Sequence, residues 1–403
     1  MNTSYALING KINTVTKGTI ENGTILIENG KIKDLAADLV LPDDLETIDL
    51  KGAWVIPGLI DAHTHISNFS EPGMLDSKMP WDGNEMSDPV RAHVRAIDAL
   101  NPFEPAIKKV RNAGFTTVCT LPGSGNLIGG LGVVYKLRGR TAEQMVIPGK
   151  EPMKMALGEN PKRNYYPKDK IHTRMGNAAL LRKTLYDAVV YQEKKQNAEK
   201  HGEFFERVFE KEVLLPVING EKRCRIHSHR SDDIVTAIRI AEEFGLKYSI
   251  EHCTEGYKIK DFLAEKEVTA VVGPMMMSPY KNEVWDLRVE NCGELVAAGV
   301  NVCITADTAS HTCYLTNDIG ILIAHGLDPV KALEAVTINP ARLLEVDDRV
   351  GSLEVGKDAD IAVFDGDPFS NYSRCQMTII DGKIYHEEAQ DSYLELDYSS
   401  FVD

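Results

Sequence analysis

Short apolar runs alternate with helical patterns through the middle of the chain, and this alternation constrains the fold more than any other feature. Helical segments such as 177–200 and 232–244 separate runs that have the composition of buried strands. This texture is typical of a parallel α/β fold. The eight strand candidates are Val55–Ala62, Thr116–Leu121, Gly132–Leu137, Pro152–Leu157, Cys224–His227, Lys247–Glu251, Val268–Val272 and Asn301–Ala306.

Eight β/α units have the size of a known closed architecture. The units occupy about 290 residues, which suits a TIM (β/α)8 barrel. We therefore predict an α/β fold with such a barrel over residues 57–349. A doubly wound sheet is the alternative, but no Gly-x-Gly-x-x-Gly motif follows the first strand to support it.

The two ends of the chain have a different texture, with short β-prone runs between turn signals. Asn22-Gly23, Asn29-Gly30 and Asp381-Gly382 each supply residues that tolerate the positive φ of a two-residue hairpin turn. Neither end is long enough to form a stable sheet alone, and chain termini often lie close together. We predict that residues 1–56 and 350–403 pair into one small composite β-sandwich.

Composition and charge exclude several classes of protein. Lys and Arg number 45 against 60 Asp and Glu, a net charge of -15, which argues against a nucleic-acid or anionic-membrane partner. The seven cysteines include no Cys-x-x-Cys pair, as expected for reduced thiols. Residues 1–5 lack the pattern of a secretory signal, and no apolar run suits a membrane span. We expect a cytoplasmic protein that acts on a small molecule.

Ionisable residues cluster where the predicted strands end, which is where such barrels carry their reactive groups. The first strand ends in His63-Thr64-His65, and the two histidines face the same way because successive side chains alternate sides. Further histidines end strands five and six, and Asp307 ends strand eight. Imidazole and carboxylate are ligands that zinc and similar ions prefer. The sequence therefore predicts a divalent metal centre, with zinc as the expected ion.

Three segments resemble one protein family. Residues 55–65 resemble the first-strand signature of the amidohydrolase superfamily, and residues 337–341 and 351–360 resemble its C-terminal motifs. The chain is most similar to the imidazolonepropionase-like and prolidase-like branch. The resemblance implies a barrel flanked by a composite sandwich, one or two ions per chain and a possible homo-oligomer. It also implies that the ligand positions are occupied by His63, His65, His227, His252 and Asp307.

The resemblance implies that strand four supplies an anionic bridge if two ions bind, either a carboxylated lysine or a glutamate. Lys154 lies within the predicted strand and Glu159 just beyond it, so on one regular strand they would face opposite sides. We favour Glu159 slightly, because Gly158 and Pro161 beside it indicate a specialised turn at the rim. Lys154 remains a near-equal alternative.

Other polar residues are candidates for contact with substrate. His229 shares a face with His227 but stands one pleat later, so we expect it to contact substrate or to support the metal ligands. Arg230 favours a carboxylate or phosphate on the substrate, although it could equally pair with an aspartate of the following helix. Tyr165 and Arg174 follow strand four and are further rim candidates, with a solvated loop as the alternative.

These residues favour metal-dependent hydrolysis of a C–N bond in an amide, a lactam, an N-acyl amino acid or a dipeptide. A divalent ion lowers the pKa of its bound water to about 7 and polarises a carbonyl group. The resemblance implies that Asp307 is the general base, while His252 or His229 stabilises the oxyanion. One alternative is an aminohydrolase that deaminates a heterocycle. Another is a noncatalytic scaffold, against which the full set of ligands counts.

Overall fold

The computed structural model describes residues 4–69 and 82–387 of the chain. Within them the backbone forms seventeen strands. These are β1 (Ser4–Asn13), β2 (Thr19–Glu28), β3 (Lys31–Ala36), β4 (Glu46–Asp49), β5 (Trp54–Pro57), β6 (Leu59–Thr64), β7 (Phe115–Thr120), β8 (Ile128–Leu131), β9 (Val133–Lys136), β10 (Met153–Ala156), β11 (Cys224–Ser228), β12 (Tyr248–His252), β13 (Thr269–Val272), β14 (Asn301–Ile304), β15 (Ile361–Phe364), β16 (Cys375–Ile380) and β17 (Lys383–Glu387).

The described residues also form twelve α-helices. These are α1 (Pro105–Asn112), α2 (Ala142–Met145), α3 (Glu159–Tyr165), α4 (Arg174–His201), α5 (Phe209–Glu212), α6 (Leu215–Ile218), α7 (Ser231–Glu243), α8 (Lys260–Glu265), α9 (Asn291–Ala297), α10 (Leu315–Ala324), α11 (Pro329–Glu334) and α12 (Ile338–Leu343). The longest, α4, begins after Thr173, whose hydroxyl accepts a hydrogen bond from Gly176 N, and ends at Gly202 in the left-handed conformation. In the part of the chain described, no helix has both the length and the apolar character to cross a membrane.

The two ends of the chain form one composite sheet. Its strand order is β17-β16-β15-β5-β1-β2-β3, with β4 beside β1. The ends meet where β5 and β15 pair antiparallel, from Pro57 opposite Ile361 to Trp54 opposite Phe364. Hydrogen bonds join these eight strands into a single continuous sheet and not into two separate sheets, and side chains from both ends share one apolar core. Residues 1–3 and 388–403 of the predicted end segments lie outside the described residues.

One predicted hairpin turn is wrong. Asn22-Gly23 lies inside β2, and the turn between β1 and β2 is made by Thr14–Gly18, where Thr14 N donates to Gly18 O. Gly23 serves a different purpose, because a Cβ there would lie 2.4 Å from Ile12 Cδ1 on the paired strand. The Asn-Gly dipeptide therefore marks an irregularity in the strand pair and not its turn.

The middle of the chain forms two sheets. One has the order β14-β13-β12-β11-β10-β8 and the other the order β6-β7-β9. Strands β10 to β14 run parallel, so their carboxyl ends lie along one edge. The sheets meet on both sides, where Thr305 Oγ1 donates to His63 O at 2.6 Å and Gly132 N donates to Pro152 O at 2.8 Å. No strand ladder joins the sheets within the described residues, so the predicted closed barrel is not confirmed.

Two features of the predicted barrel need correction. The third candidate strand, β9, runs antiparallel to β7. The connection from Thr120 to Val133 contains β8 and no α-helix, whereas a parallel return needs a crossover of about a dozen residues, usually a helix. The first candidate strand is two strands, because the chain passes at Gly58 from the composite sheet to β6; a Cβ at Gly58 would lie 2.2 Å from Thr116 Cγ2.

A buried charge cluster joins the composite sheet to the middle sheets. Lys136 on β9 is fully buried, and its Nζ lies 2.8 Å from Asp358 Oδ2 and 2.9 Å from Asp360 Oδ1, with Asp381 as a third partner. Burial alone would lower the pKa of Lys136, but the three carboxylates outweigh it and raise the pKa. Asp358 also pairs with Lys31, whose side chain is half exposed.

Candidate metal centre

Six ionisable side chains converge where strands β6, β11, β12 and β14 end. They divide into two groups of three, and within each group the donor atoms lie within 4.8 Å of one another. The first group has one carboxylate and two imidazoles, and the second has three imidazoles. The first group is His63, His65 and Asp307, and the second is His227, His229 and His252.

The first group directs three hydrogen-bond acceptors at one point. His65 Nδ1 lies 2.8 Å from Leu121 O, and a carbonyl oxygen can only accept, so Nδ1 carries the hydrogen and Nε2 does not. Asp307 Oδ1 lies 3.1 Å from His65 Nε2 and 3.3 Å from His63 Nε2. This oxygen is buried and has no hydrogen-bond donor among the described residues. In the described part of the chain, Lys154 Nζ donates to His63 Nε2 alone, so Asp307 Oδ1 still faces His65 Nε2 without a donor, and the donor types suit a divalent metal.

The second group packs its rings against each other. The ring centroids of His227 and His252 are 4.3 Å apart, and His229 lies 4.6 Å from each of them. His252 Nδ1 donates to Gly273 O at 2.7 Å, and His229 Nδ1 lies 2.7 Å from Thr254 Oγ1. Burial is the largest cause that lowers the pKa of all three imidazoles, to about 4 for His252. Neutral imidazole is the form that binds metal.

Lys154 stands beside the first group. Its Nζ lies 2.9 Å from His63 Nε2, and the side chain is buried. Burial lowers the pKa of Lys154 to about 8, although the Asp307 and Glu251 carboxylates oppose that shift. A pKa of about 8 leaves roughly a tenth of the Lys154 amines neutral at pH 7, and the neutral amine is the form that reacts with electrophiles.

Glu159, which the sequence slightly favoured over Lys154, lies elsewhere. Gly158, at φ +84, ends the path of β10 and turns the chain into α3, so Glu159 becomes the first residue of that helix. Its carboxylate accepts a hydrogen bond from Glu283 N at 3.3 Å, and its own N donates to Glu283 Oε2 at 2.8 Å. Glu159 belongs to neither donor group, so the structure brings Lys154 and not Glu159 to the histidines.

The backbone at the centre is held in an uncommon conformation. Asp307 has φ 53 and His252 has φ 70, in the left-handed region that residues other than glycine rarely adopt. Asp61 secures the segment next to Asp307, because its Oδ2 accepts from Thr312 Oγ1 at 2.9 Å and from Ala306 N at 3.3 Å. Burial raises the pKa of this carboxyl to about 6. These contacts fix where the Asp307 carboxylate points.

The predicted substrate contacts at the mouth already have partners. The Arg230 guanidinium donates to both oxygens of Asp232, which is the alternative that the sequence left open. Arg174 donates to both oxygens of Asp233. Tyr165 is buried, and its hydroxyl donates to Asp88 O at 2.7 Å. Among the described residues, the hydrogen bonds of these three side chains run to other partners and not to either donor group.

Four charged residues near the centre were not predicted from the sequence. Arg225 and Glu251 lie on β11 and β12, and both are fully buried. Their charge inside apolar strands is a signal that could have identified them. Lys281 and Glu283 follow β13; Lys281 Nζ lies 2.7 Å from Glu283 Oε1, which is 3.7 Å from the Nε2 atoms of His227 and His229. Their irregular segment offers no such signal.

Comparison with known proteins places the chain in context. Residues 192–385 match the Amidohydrolase family, and residues 4–55 match the NagA composite domain. A solved structure of an amidohydrolase from Thermotoga maritima MSB8 is similar, with a TM-score of 0.91 and 38% identity; the match covers 95% of this chain and 100% of that one. The match extends over both the composite sheet and the middle sheets, so the mixed α/β architecture is shared.

Curated relatives are more distant. The chain is 27% identical over 376 residues to the imidazolonepropionase of Fusobacterium nucleatum subsp. nucleatum, with 85% of each protein covered. It is 26% identical over 392 residues to the amidohydrolase tasK of Hapsidospora irregularis, covering 89% of this chain and 39% of that protein. The chain therefore spans well under half the length of tasK and most of the imidazolonepropionase.

Proposed function

Because this chain belongs to the amidohydrolase family, we propose that it hydrolyses a carbon–nitrogen bond with the help of a bound divalent metal ion. One observation carries the proposal: two groups of buried donor atoms lie side by side where the strands end, and the Asp307 oxygen in the first has no donor of its own. Five imidazoles and one carboxylate, with Lys154 beside them, are the ligand types of such a centre.

We assign the ion-binding residues as follows. His63, His65 and Asp307 hold one ion, and zinc suits their nitrogen and oxygen donors. His227 and His252 hold a second ion if one binds, with His229 as a third imidazole in place of the substrate contact expected from the sequence. Lys154, carboxylated at Nζ, would be the anionic ligand that we now prefer to Glu159, since Nζ is already 2.9 Å from His63 Nε2.

An ion held by these residues would lower the pKa of a water molecule and polarise the substrate carbonyl. Asp307 acts as the general base: one carboxylate oxygen faces His63 and His65, and the other, 3.8 Å from His252 Nδ1, accepts the proton of the attacking water. The proton then passes from Asp307 to the leaving nitrogen. When a single ion is bound, His252 and His229 hold no metal and, once protonated at Nε2, would stabilise the negative oxygen of the tetrahedral intermediate.

The middle of the chain carries this chemistry in our proposal. In the described part of the chain, residues 57–349 form the hydrolase domain, and residues 4–56 and 350–387 form the composite sheet that flanks it. The substrate is a small amide, lactam, N-acyl amino acid or dipeptide. Arg230 and Arg174 contact it only if they leave their aspartate partners, so we rank them below the histidines as substrate contacts.

Metal analysis and a substrate screen test the proposal together. Protein purified without chelator should contain one or two equivalents of zinc, and Asp307→Asn should lower kcat/KM by about 10²–10⁴-fold on the best amide substrate. His325→Gln, an exposed histidine paired with Glu290, is the matched control and should change neither quantity. Wild-type protein without metal, or metal-loaded protein without amide hydrolysis, contradicts the proposal. Ammonia released from an aminated heterocycle would support the deaminase alternative instead.

A further inference from the structure

A buried ion pair lies directly beneath His63. Glu251 Oε2 is 2.7 Å from His63 Nδ1, and both side chains are fully buried. Arg225 donates to both oxygens of Glu251, from Nε to Oε1 at 2.7 Å and from Nη2 to Oε2 at 2.8 Å. Ser249 Oγ also donates to Glu251 Oε1, at 2.6 Å. The carboxylate therefore has four short contacts, and only one of them is to a residue of the donor groups.

These contacts determine which nitrogen of His63 carries the hydrogen. An ionised carboxylate can only accept, so the hydrogen between Glu251 and His63 belongs to Nδ1. On the opposite side of the ring, Lys154 Nζ lies 2.9 Å from Nε2 and acts as the donor there. Both neighbours therefore select the same tautomer, in which Nε2 carries a lone pair and lies 3.3 Å from Asp307 Oδ1.

The same pair also fixes the strand that carries His63. Arg225 Nη2 donates to Ala62 O at 2.9 Å, on the residue immediately before His63 in β6. Arg225 and Glu251 come from β11 and β12 in the other sheet. The pair thus links the strand of the first donor group to the strands of the second, and its two charges balance in a site without solvent.

We infer that Glu251, held in place by Arg225, is a positioning residue that fixes His63 as the Nδ1–H tautomer and so keeps Nε2 available to bind the cation. Carboxylates behind metal-binding histidines orient the ring and increase its basicity, and their loss typically costs 10–100-fold in metal affinity. The inference rests on the proposed metal-dependent function and adds two residues to it.

The tautomer can be measured without any metal. The protein is labelled with ¹⁵N-histidine and treated with a chelator to remove metal. In its long-range proton–nitrogen correlation spectra, we expect the His63 signals to show an Nδ1–H ring. The signals are assigned by their loss in His63→Gln. Nδ1–H in the wild type and a shift toward Nε2–H in Glu251→Gln support the inference. An Nε2–H ring in the wild type overturns it, whatever becomes of the variants.

Zinc affinity separates positioning from simple charge balance. Glu251→Asp keeps the charge opposite Arg225 but is one carbon shorter, so it loses the contact with His63. We expect zinc affinity, measured by competition with a chromophoric chelator, to fall 10–100-fold in Glu251→Asp and Glu251→Gln. Ser249→Ala removes a hydrogen bond from the far oxygen of Glu251 and should keep the wild-type affinity within about threefold.

The outcomes distinguish the two claims. If wild-type protein binds zinc and Glu251→Asp binds it equally well, Glu251 only neutralises Arg225 and the inference is wrong, while the proposed function stands. If wild-type protein takes up no zinc, the proposed function fails, and the tautomer spectrum still decides what Glu251 does to His63. Glu251→Gln that does not fold leaves Glu251→Asp and the wild-type spectrum as the deciding measurements.

Discussion

Lys136 and Lys154 lie on neighbouring strands in the sequence, β9 and β10, and both are buried, yet their surroundings differ completely. Lys136 lies between three aspartates at the junction with the composite sheet, and these raise its pKa above the usual value. Lys154 has an imidazole as its nearest polar contact, and burial lowers its pKa to about 8. One lysine is a fixed cation, and the other exchanges its proton near neutral pH.

The comparison shows that burial alone does not determine the role of a charged residue. Desolvation disfavours both ammonium groups, but at Lys136 the attraction of three carboxylates outweighs the desolvation penalty. At Lys154 the opposing carboxylates are too few, because Glu251 is already neutralised by Arg225. The chain thus uses one buried lysine to join its two parts and keeps the other in a state suited to chemistry.

The largest difference between the two lysines should appear in catalytic activity. Lys154→Met removes the amine at nearly constant volume, so kcat/KM should fall by at least about 10³-fold, equivalent to about 4 kcal/mol. Because the lost ammonium is poorly paired, the free energy of unfolding at pH 7 should stay unchanged or rise. Kinetics on the best substrate and urea unfolding of the same sample check both parts. Full activity in Lys154→Met would remove this residue from the centre.

The reverse pattern is expected at the junction. Lys136→Met leaves the buried Asp360 without its cation, and the free energy of unfolding should fall by about 3 kcal/mol. The other two carboxylates each keep a cation, Lys31 for Asp358 and Arg138 for Asp381. Activity per folded molecule should stay within about twofold, because no atom of this cluster belongs to a donor group. Urea unfolding monitored by circular dichroism measures the loss. A stable Lys136→Met would mean that the aspartates are protonated or hydrated in the native state.

Alkaline pH should separate the two lysines further. Since the folded pKa of Lys154 is about 8 and a free lysine titrates near 10.4, the unfolded state binds more protons between these values. Stability therefore rises with pH in this window, by up to about 1.4 kcal/mol per pH unit. The metal-free wild type minus Lys154→Met, measured from pH 8 to 10, isolates this term.

Lys136 should behave differently over the same range. Its raised pKa means that its stabilising contribution is fully present below the unfolded value and is lost only as the pH rises through the higher folded value. The difference between wild type and Lys136→Met should therefore stay flat from pH 8 to 10. Parallel slopes for the two differences would contradict the contrast between these lysines.

The smallest effect is expected at the exposed edge of the junction. Lys31 pairs with Asp358, the same carboxylate that Lys136 contacts, but its side chain is half exposed. Exposed ion pairs contribute about 0–1 kcal/mol, so Lys31→Met should cost less than about 1 kcal/mol. Urea unfolding beside Lys136→Met makes the comparison direct. Equal losses would show that burial does not set the strength of these pairs.

Much of the fold could be predicted from sequence periodicity. Four elements lie near their predicted positions, namely strands β11 and β12 and helices α4 and α7. The two ends of the chain pair with each other, as predicted from their short β-prone runs and turns. The direction of β9 could not be predicted, because an apolar run looks the same in either orientation. The break at Gly58 was missed because Thr116, which leaves no room for a Cβ at this position, is distant in sequence.

The site shows the same division between local and distant information. Strand parity brought His63 and His65 into one group, as expected from a local rule. The choice between Lys154 and Glu159 depended on the backbone at Gly158, whose left-handed φ redirects the chain. Glu251 was overlooked because its partner, Arg225, lies on another strand, and only tertiary structure brings the two together.

The pairing of β5 with β15 also affects how the polypeptide is made. Pro57 cannot pair with Ile361 until Ile361 has left the ribosome, roughly 300 residues later. At about 5–20 residues per second, that delay is on the order of 15–60 s. During translation the nascent N-terminal strands have an open edge, which is the kind of exposed surface that chaperones protect and that aggregation exploits.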